Sequence, residues 1–422
     1  METSHPPPES AASDDQPQVE QRGARARAVA PDLARGLMLL LIALANIPWS
    51  IYGLDTDGFS PHGHSTDLLD QIWQAFAIVA VDSRSYPLFA FLFGYGIWQL
   101  YTRQRAAGVD PREARKLLQR RHAWMLAFGA VHALLLWMGD VVGAYGLIGL
   151  IITWLFLDRR NRTLIVWAIV LAGLLLLGSL FQAIGGFAYA AYIGTGADAG
   201  AMALPNVAGM DSYWLAMPAR LGFWVVGTLG MGIFGIAVPV AILCALVAAR
   251  SGVLEQPELH GRLLRRTAVW GILIGWAGGV PSAIVHLSGS DVPGWAFQSL
   301  HAVTGIAGGL GYAALFGLIA ARVNAARPGR IAGALTAVGK RSLTCYLAQS
   351  VLIVPVLSAW GFGLGGTMTQ WQGALYAIGV WLVTVVLAVA LERAGKRGPA
   401  EWLLRRLSYR RGRDAAPASV TG

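Results

Sequence analysis

The chain has 422 residues, of which 55% are hydrophobic and only 13% charged, and its mean hydropathy is +0.52. A soluble domain carries about twice that share of charge, so an ordinary soluble protein is excluded and an all-α polytopic membrane protein is expected, with 16 Trp suited to the interfaces and 52 Gly to close helix contact. The net charge of +10 reads as basic loops on one side of a bilayer, and no nucleic-acid partner is expected.

Residues 1–31 are rich in Pro, Ser, Gln and Arg without apolar periodicity and read as a disordered cytoplasmic tail. The apolar run after it continues to Tyr52. Ala43-Leu44-Ala45 imitates a signal cleavage site, but the preceding tail is long and an uncleaved anchor is expected. A spanning helix needs roughly 20 mostly apolar residues. About ten segments qualify, namely 33–53, 84–102, 122–139, 141–157, 163–185, 220–249, 268–287, 296–321, 343–363 and 372–391. The segment Leu68 to Val81 is apolar but short and ends in Asp82-Ser83-Arg84. It is expected to be an interfacial or re-entrant helix that breaks before the second span.

Charge tests this division independently of hydropathy. Arg22, Arg25 and Arg27 precede the first span, Arg103 to Arg121 form a basic loop, Asp158 to Arg162 another, and Arg262, Arg265 and Arg266 precede the seventh span. Arg322, Arg327, Arg330, Lys340 and Arg341 separate the eighth and ninth, and Arg393, Lys396 and Arg397 follow the last. All fall on one side only if the crossings alternate as counted, which places both termini in the cytoplasm and the protein in the inner membrane of a bacterium. The transmembrane domain is therefore 32–393. A cytoplasmic amphipathic helix is expected within 394–410, carried by Glu401-Trp402-Leu403-Leu404-Arg405-Arg406-Leu407, with a second disordered tail at 411–422. Cys244 and Cys345 lie in apolar runs and read as packed thiols.

Polar groups in hydrocarbon cost several kcal/mol unless they meet a partner or a wet cavity, so each invites two readings. Arg35 pairs with Asp32 or meets phosphate, whether of headgroups or of a ligand. Asn46, ~16 Å deeper, bonds a neighbouring helix or faces a cavity. His132 and Asp140 are eight positions apart, ~12 Å along a straight helix, in which they cannot touch. Asp140 either caps the next helix or shares a cavity with His132. His62 and His64 lie in a polar loop as solvated histidines or as a base. With Asp67 they give only a weak metal signal, and no metal site is expected. His286, His301 and Asp291 belong to an outer vestibule, and Gln349 is a helix contact or a cavity wall.

Four patterns occur in order. They are Asp32-Leu33-Ala34-Arg35-Gly36 with Asn46; Asp82-Ser83-Arg84-Ser85-Tyr86-Pro87 running on to Gly94-Tyr95-Gly96; His132 to Asp140 with Tyr145; and Gly339-Lys340-Arg341-Ser342-Leu343-Thr344-Cys345-Tyr346-Leu347-Ala348-Gln349-Ser350 followed by Gly398-Pro399-Ala400-Glu401-Trp402. Together they resemble the YeiB-like family of bacterial multi-pass membrane proteins, a domain of unknown function (418), over residues 30 to 410. That family is similar at the level of fold to transmembrane acyltransferases, where an Arg-Gly pair opens the first helix and a polar residue follows deeper. Acyltransferase-3 proteins have a catalytic His at the position of Asn46. The lysosomal heparan N-acetyltransferase has Asn there and its His in the following loop, which here holds His62 and His64.

The resemblance implies an acyltransferase that passes an acyl group from cytoplasmic acyl-CoA to an envelope or exported acceptor. The alternative is a transporter or exporter of a small metabolite. The candidate catalytic residues are Asn46, His62, His64, His132 and Asp140. The candidate substrate-binding residues are Asp32, Arg35, Arg84, Tyr145 and Gln349. Acyl-CoA is expected as a donor substrate, with no resident cofactor, and the lipid bilayer as partner.

Overall fold

A computed structural model describes residues 29–54, 56, 60–193, 206–231, 235–323 and 329–409. Both expected tails lie outside them, apart from 29–31, which already belong to the first helix. Every regular element among the described residues is helical.

Helix α1 (Val29–Asn46) is a Leu- and Ala-rich run that tightens into a 3-10 turn at Ile47–Ser50, where Pro48 has no N–H to continue the α ladder. Asp67 caps α2 (Leu68–Phe76) by accepting from the Leu69 N–H at 2.7 Å. A π-helical segment follows at Ala77–Val81, and the chain then breaks at Asp82–Arg84, with Ser83 at φ 55°, before α3 (Ser85–Ala106). The expected break before the second span is therefore present. Asp110 and Pro111 open α4 (Pro111–Leu135), which stops short of the expected 139, and the chain reverses into α5 (Val142–Leu155). Helix α6 (Asn161–Ile193) is the longest. The expected single span 220–249 is two helices, α7 (Tyr213–Leu229) and α8 (Ala237–Arg250). The remaining helices are α9 (Gly261–Ser288), α10 (Gln298–Ala321), α11 (Arg330–Lys340), α12 (Ser342–Leu357), α13 (Gln370–Arg393) and the short α14 (Pro399–Ser408).

Among the described residues six helical segments are long and apolar enough to cross a membrane: Ala30–Ser50, Leu68–Ala106, Asn161–Tyr192, Gly261–Ser288, Gly294–Ala321 and Gln370–Arg393. Helices α5, α8 and α12 are apolar but shorter. With 33 residues, α6 spans about 50 Å. It leaves Ile165, Val166, Trp167, Ile169 and Val170 exposed around its circumference, a surface that lipid rather than water suits.

The basic segments gather at one end of the bundle. Arg250 donates to the carbonyls of Leu157 and Arg159, Arg115 pairs with Asp158, Gln104 donates to Tyr409, and Lys340 and Arg341 both pair with Glu392. The inner core is built by α1, α3, α8 and α10 around Leu39, Leu92, Tyr95, Leu243 and Ala313.

Helices α9 and α10 press glycine on glycine. A Cβ on Gly275 would lie 2.7 Å from the Gly308 Cα, so the absent side chains are what allow the backbones to meet. A Cβ on Gly305 would collide with the carbonyl oxygen of Ser83, at the break. Because backbone rather than a flexible side chain must give way, Gly305→Ala should lose about 1–3 kcal/mol of stability. Gly173, open on all sides, should tolerate Ala or gain up to about 1 kcal/mol from helix propensity. Thermal melts of the two variants in one detergent check this: an equal effect at both positions would contradict the packing.

Candidate functional site

At the basic end a cavity of about 430 Å³ opens between α1, α3, α4, α12 and α14. Its lining holds six cations (Arg35, Arg103, Arg121, Lys340, Arg397 and Arg405) against two carboxylates, Asp32 and Glu401. Both carboxylates are already engaged. Asp32 accepts from Arg35 Nη1 at 3.0 Å. Glu401 accepts from the N–H groups of Leu343 and Thr344 at 2.7 and 3.1 Å and from the Thr344 hydroxyl at 2.5 Å, satisfying donors left free at the start of α12. The cavity is left with surplus positive charge, a setting for phosphate.

Close backbone contact fixes Arg35 in this cavity. A Cβ on Gly339 would collide with the Asp32 carbonyl, and one on Gly36 with that of Leu335, so α1 crosses α11 backbone to backbone. The Asp32-to-Gly36 and Gly339-to-Arg341 motifs thus form one joint. Arg35 Nη2 also donates to the Leu92 carbonyl at 3.2 Å, tying the joint to α3.

Inward, the lining turns apolar through Met38, Phe89, Phe93 and Met125 and ends at Tyr346. Tyr346 is also a wall of a second, smaller pocket of about 20 Å³, lined by Asn46, Ser50, Trp137, Gln349 and Ser350. That space suits about one water. Gln349 Nε2 donates to the Leu39 carbonyl at 3.3 Å, so this residue is both a helix contact and a cavity wall. The Asn46 amide makes no side-chain hydrogen bond among the described residues, and Trp137 Nε1 is buried without a partner. Burying a donor unpaired is costly, so Trp137 Nε1, with the half-buried Asn46 amide in the same lining, is available to a guest.

Beside Tyr346 lies the pair His132–Asp140, with Nδ1 2.7 Å from Oδ2. The expectation that they cannot touch assumed a straight helix. Because α4 ends at Leu135 and the chain reverses, Asp140 returns to His132. The capping reading of Asp140 holds: its Oδ1 accepts from Gly143 N–H at 2.8 Å, at the start of α5, and from Trp224 Nε1 at 3.3 Å, whereas neither Asp140 nor His132 lines either pocket. With an ionised Asp140 on Nδ1, the proton resides there and Nε2 carries the lone pair. His132 Nε2 is buried with no hydrogen-bond partner, and the ring stands edge-on to Tyr346 at 5.5 Å.

The other candidates sit elsewhere. Tyr145 donates to the Tyr86 carbonyl at 2.8 Å and packs on Phe89, supporting the cavity wall from behind. Arg84 lines neither pocket. Its guanidinium donates to the carbonyls of Ile78, Asp82 and Gly275 and meets His301, while Tyr312 donates to Ala80. The bonds to Ile78, Ala80 and Asp82 satisfy carbonyls of the π segment and the break, and the one to Gly275 ties them to α9, so Arg84 serves as a clamp rather than a substrate contact in this structure. His62 lies between Gln370 Oε1 (2.9 Å) and Asp82 Oδ2 (2.8 Å). Exposed His64 stacks on His286, whose Nε2 is 3.2 Å from Gln74 Oε1. Neither His62 nor His64 lines the Asn46 pocket. His286 joins them, whereas His301 sits at the break and Asp291 is exposed. Among the described residues no group of three or more His, Cys, Asp or Glu side chains is arranged to hold a metal.

A family model described as "Protein of unknown function (DUF418)" matches residues 248–411. The chain is 27% identical over 405 residues to the uncharacterized protein YeiB of Escherichia coli K12, covering 91% of this chain and 97% of that one. It is also 27% identical over 338 residues to the uncharacterized protein YxaH of Bacillus subtilis 168, covering 78% and 80% respectively. The chain is thus similar to YeiB and YxaH over most of its length and matches the DUF418 model over residues 248–411. An uncharacterized 39.9 kDa protein of Bacillus acidopullulyticus is 26% identical over 381 residues, covering 90% of this chain and 93% of its own. No solved structure matches the chain.

The DUF418 match runs from the end of α8 through α14. It therefore contains Tyr346, Gln349, Lys340, Arg397, Glu401 and Arg405, one wall of both pockets. Asp32, Arg35, Asn46, His132 and Asp140 precede it. The site is assembled only when the DUF418 segment closes on the helices before it. Arg121, His122, Tyr346, Trp224 and Tyr409 were not singled out from sequence. Tyr346 stood inside a quoted motif, but Arg121 and Tyr409 carried no signal beyond a basic loop and a basic helix.

Proposed function

We propose that this YeiB-like protein is a membrane-embedded acyltransferase that takes its acyl group from a CoA thioester held in the basic cavity. The observation that carries this reading is the shared wall: Tyr346 closes the cationic cavity on one side and the Asn46 pocket on the other. Phosphates of the donor would meet Arg35, Arg121 and Arg405, and the thioester arm would follow the apolar lining to Tyr346. His132 lies behind Tyr346 rather than in either lining, so Tyr346 would have to move for His132 Nε2 to remove the proton from an acceptor hydroxyl or amine as the oxygen or nitrogen attacks the thioester carbonyl. Asp140 holds the imidazole and stabilises the cation formed. Asn46 donates to the oxyanion. Collapse breaks the C–S bond, and the CoA thiolate recovers the proton, so the acyl acceptor and CoA thiol are the products.

The topology follows the same reading. Helices α1, α3, α4, α5, α6, the pair α7 and α8, α9, α10, α12 and α13 make about ten crossings, with both ends of the chain at the basic, cytoplasmic face of a bacterial inner membrane. The acceptor, of envelope or exported origin, would approach from the opposite end.

A second reading, a small-metabolite exporter, is favoured by the helix break at Asp82–Arg84, since interrupted helices are common in transporters. Purified protein separates the two. Acetyl-CoA and longer acyl-CoAs should bind saturably, with slow thioester hydrolysis that Asn46→Ala abolishes. Folded protein that binds none of them would overturn the transferase, and solute flux in reconstituted vesicles without thioester consumption would establish the exporter.

A further inference from the structure

A separate groove of about 600 Å³ lies between α6, α8 and α9, away from both pockets. Its sides are Leu164 and Ile165 of α6, Cys244 and Val247 of α8 and Leu263 of α9. Its floor reaches Leu310 and Ala314 of α10. Ile165 and Leu263 are exposed at its lips, so it opens sideways onto the lipid-facing surface rather than into the bundle. Polar groups occur at the basic end of the groove, as Ser251, His260 and Thr267, and no carboxylate lines it.

An apolar groove in a membrane protein gains little by holding a chain that bilayer already solvates. Selectivity must come from a headgroup, and charge at the rim indicates which kind. Arg162 stands three residues before Ile165 and Arg266 three residues after Leu263, so each is a one-turn neighbour of a groove-lining residue on its own helix. Both are exposed. An arginine on a lipid-facing surface is costly unless it reaches a phosphate. Glu255 does not line the groove, and its carboxylate is turned toward Tyr95 and Gln99 of α3. Glu258 in the preceding turn does not line the groove.

We infer that this groove is a binding site for one anionic phospholipid of the basic-side leaflet, its acyl chain along α8 and its headgroup between Arg162 and Arg266. The inference does not depend on the acyltransferase reading.

Native mass spectrometry of the full-length protein, delipidated in detergent and titrated with phosphatidylglycerol or phosphatidylcholine, tests it. Preferential retention of one phosphatidylglycerol is expected, with a preference of about fivefold for each arginine. Arg162→Ala with Arg266→Ala should abolish the preference, and Cys244→Trp, which fills the groove, should reduce retention of both lipids. A second measurement needs no variant. Cys244 is the half-buried cysteine and Cys345 the buried one, so labelling by an apolar maleimide reports on the groove. Phosphatidylglycerol should slow it in the wild-type protein, and inorganic phosphate should not. Equal retention of the two lipids, or labelling that phosphatidylglycerol leaves unchanged, would overturn the proposal.

Discussion

Replacing Asp140 with alanine should destabilise the protein by about 3–5 kcal/mol, since three buried donors are left without an acceptor at about 1–3 kcal/mol each. Three groups lose their acceptor at once: His132 Nδ1, the Gly143 N–H and Trp224 Nε1. The last two hold the start of α5 and the side of α7, so the change should loosen both helices against α4. Unfolding of purified protein, followed by tryptophan fluorescence, measures it. Asp140→Asn separates stability from chemistry, because an amide oxygen still accepts from Gly143 and Trp224. It should keep most of the stability while favouring the wrong imidazole tautomer, lowering any acyl transfer by about 10³–10⁴-fold. Full turnover in a folded Asp140→Asn protein would remove His132 from the mechanism. Unchanged stability in Asp140→Ala would remove the pair from the fold.

The second large effect should be on donor binding. Hydrogen bonds to charged groups contribute about 1.5–3 kcal/mol, so loss of one cavity arginine should weaken acyl-CoA binding by about 10- to 150-fold. Arg35→Ala also leaves Asp32 without its 3.0 Å partner, and part of its effect would be structural. Arg121→Ala and Arg405→Ala are the cleaner variants, because both line the cavity outside that ion pair. Arg160→Ala, an exposed loop change outside the cavity lining, is the control. Equilibrium binding of radiolabelled acetyl-CoA at two salt concentrations decides the matter. Equal affinity across all four proteins would exclude the cavity as the donor site.

How far the sequence carries depends on whether a feature is local. The break at Asp82–Arg84 was legible because three polar residues follow an apolar run too short to span. The joining of the basic loops at one end was legible because charge and hydropathy alternate together. The end of α4 was not. Leu134, Leu135, Leu136 and Trp137 continue the apolar pattern past the stop, and only Gly139 and Asp140 hint at a turn. That one misplaced boundary concealed the His132–Asp140 contact. The division between α7 and α8 was concealed similarly, since Gly230 and Gly235 sit in a run apolar enough to cross unbroken. The cavity lay beyond any local pattern. Arg121 and Tyr409 come from segments nearly three hundred positions apart, and Tyr346 faces two pockets through tertiary packing alone. Arg84 shows the same limit from the other side: a lone arginine in an apolar region suggested a ligand, but carbonyls from its own break and from α9 already occupy it.

The clamp at Arg84 also bears on how the protein is made. Its partner carbonyl on Gly275 lies 191 positions further along the chain. At about 5–20 residues per second, a ribosome needs roughly 10–40 s to cover that distance. Throughout that interval Arg84 has only its local carbonyls, Ile78 and Asp82, while Gly275 and His301 are still to come and the Ala80 carbonyl waits for Tyr312. The segment around the break therefore reaches its final set of bonds late, after α9 and α10 have been made. The clamp is completed only when the glycine-faced hairpin of α9 and α10 arrives. A chain halted before that hairpin would lack the Gly275 and His301 half of the Arg84 clamp, and a complete one would not.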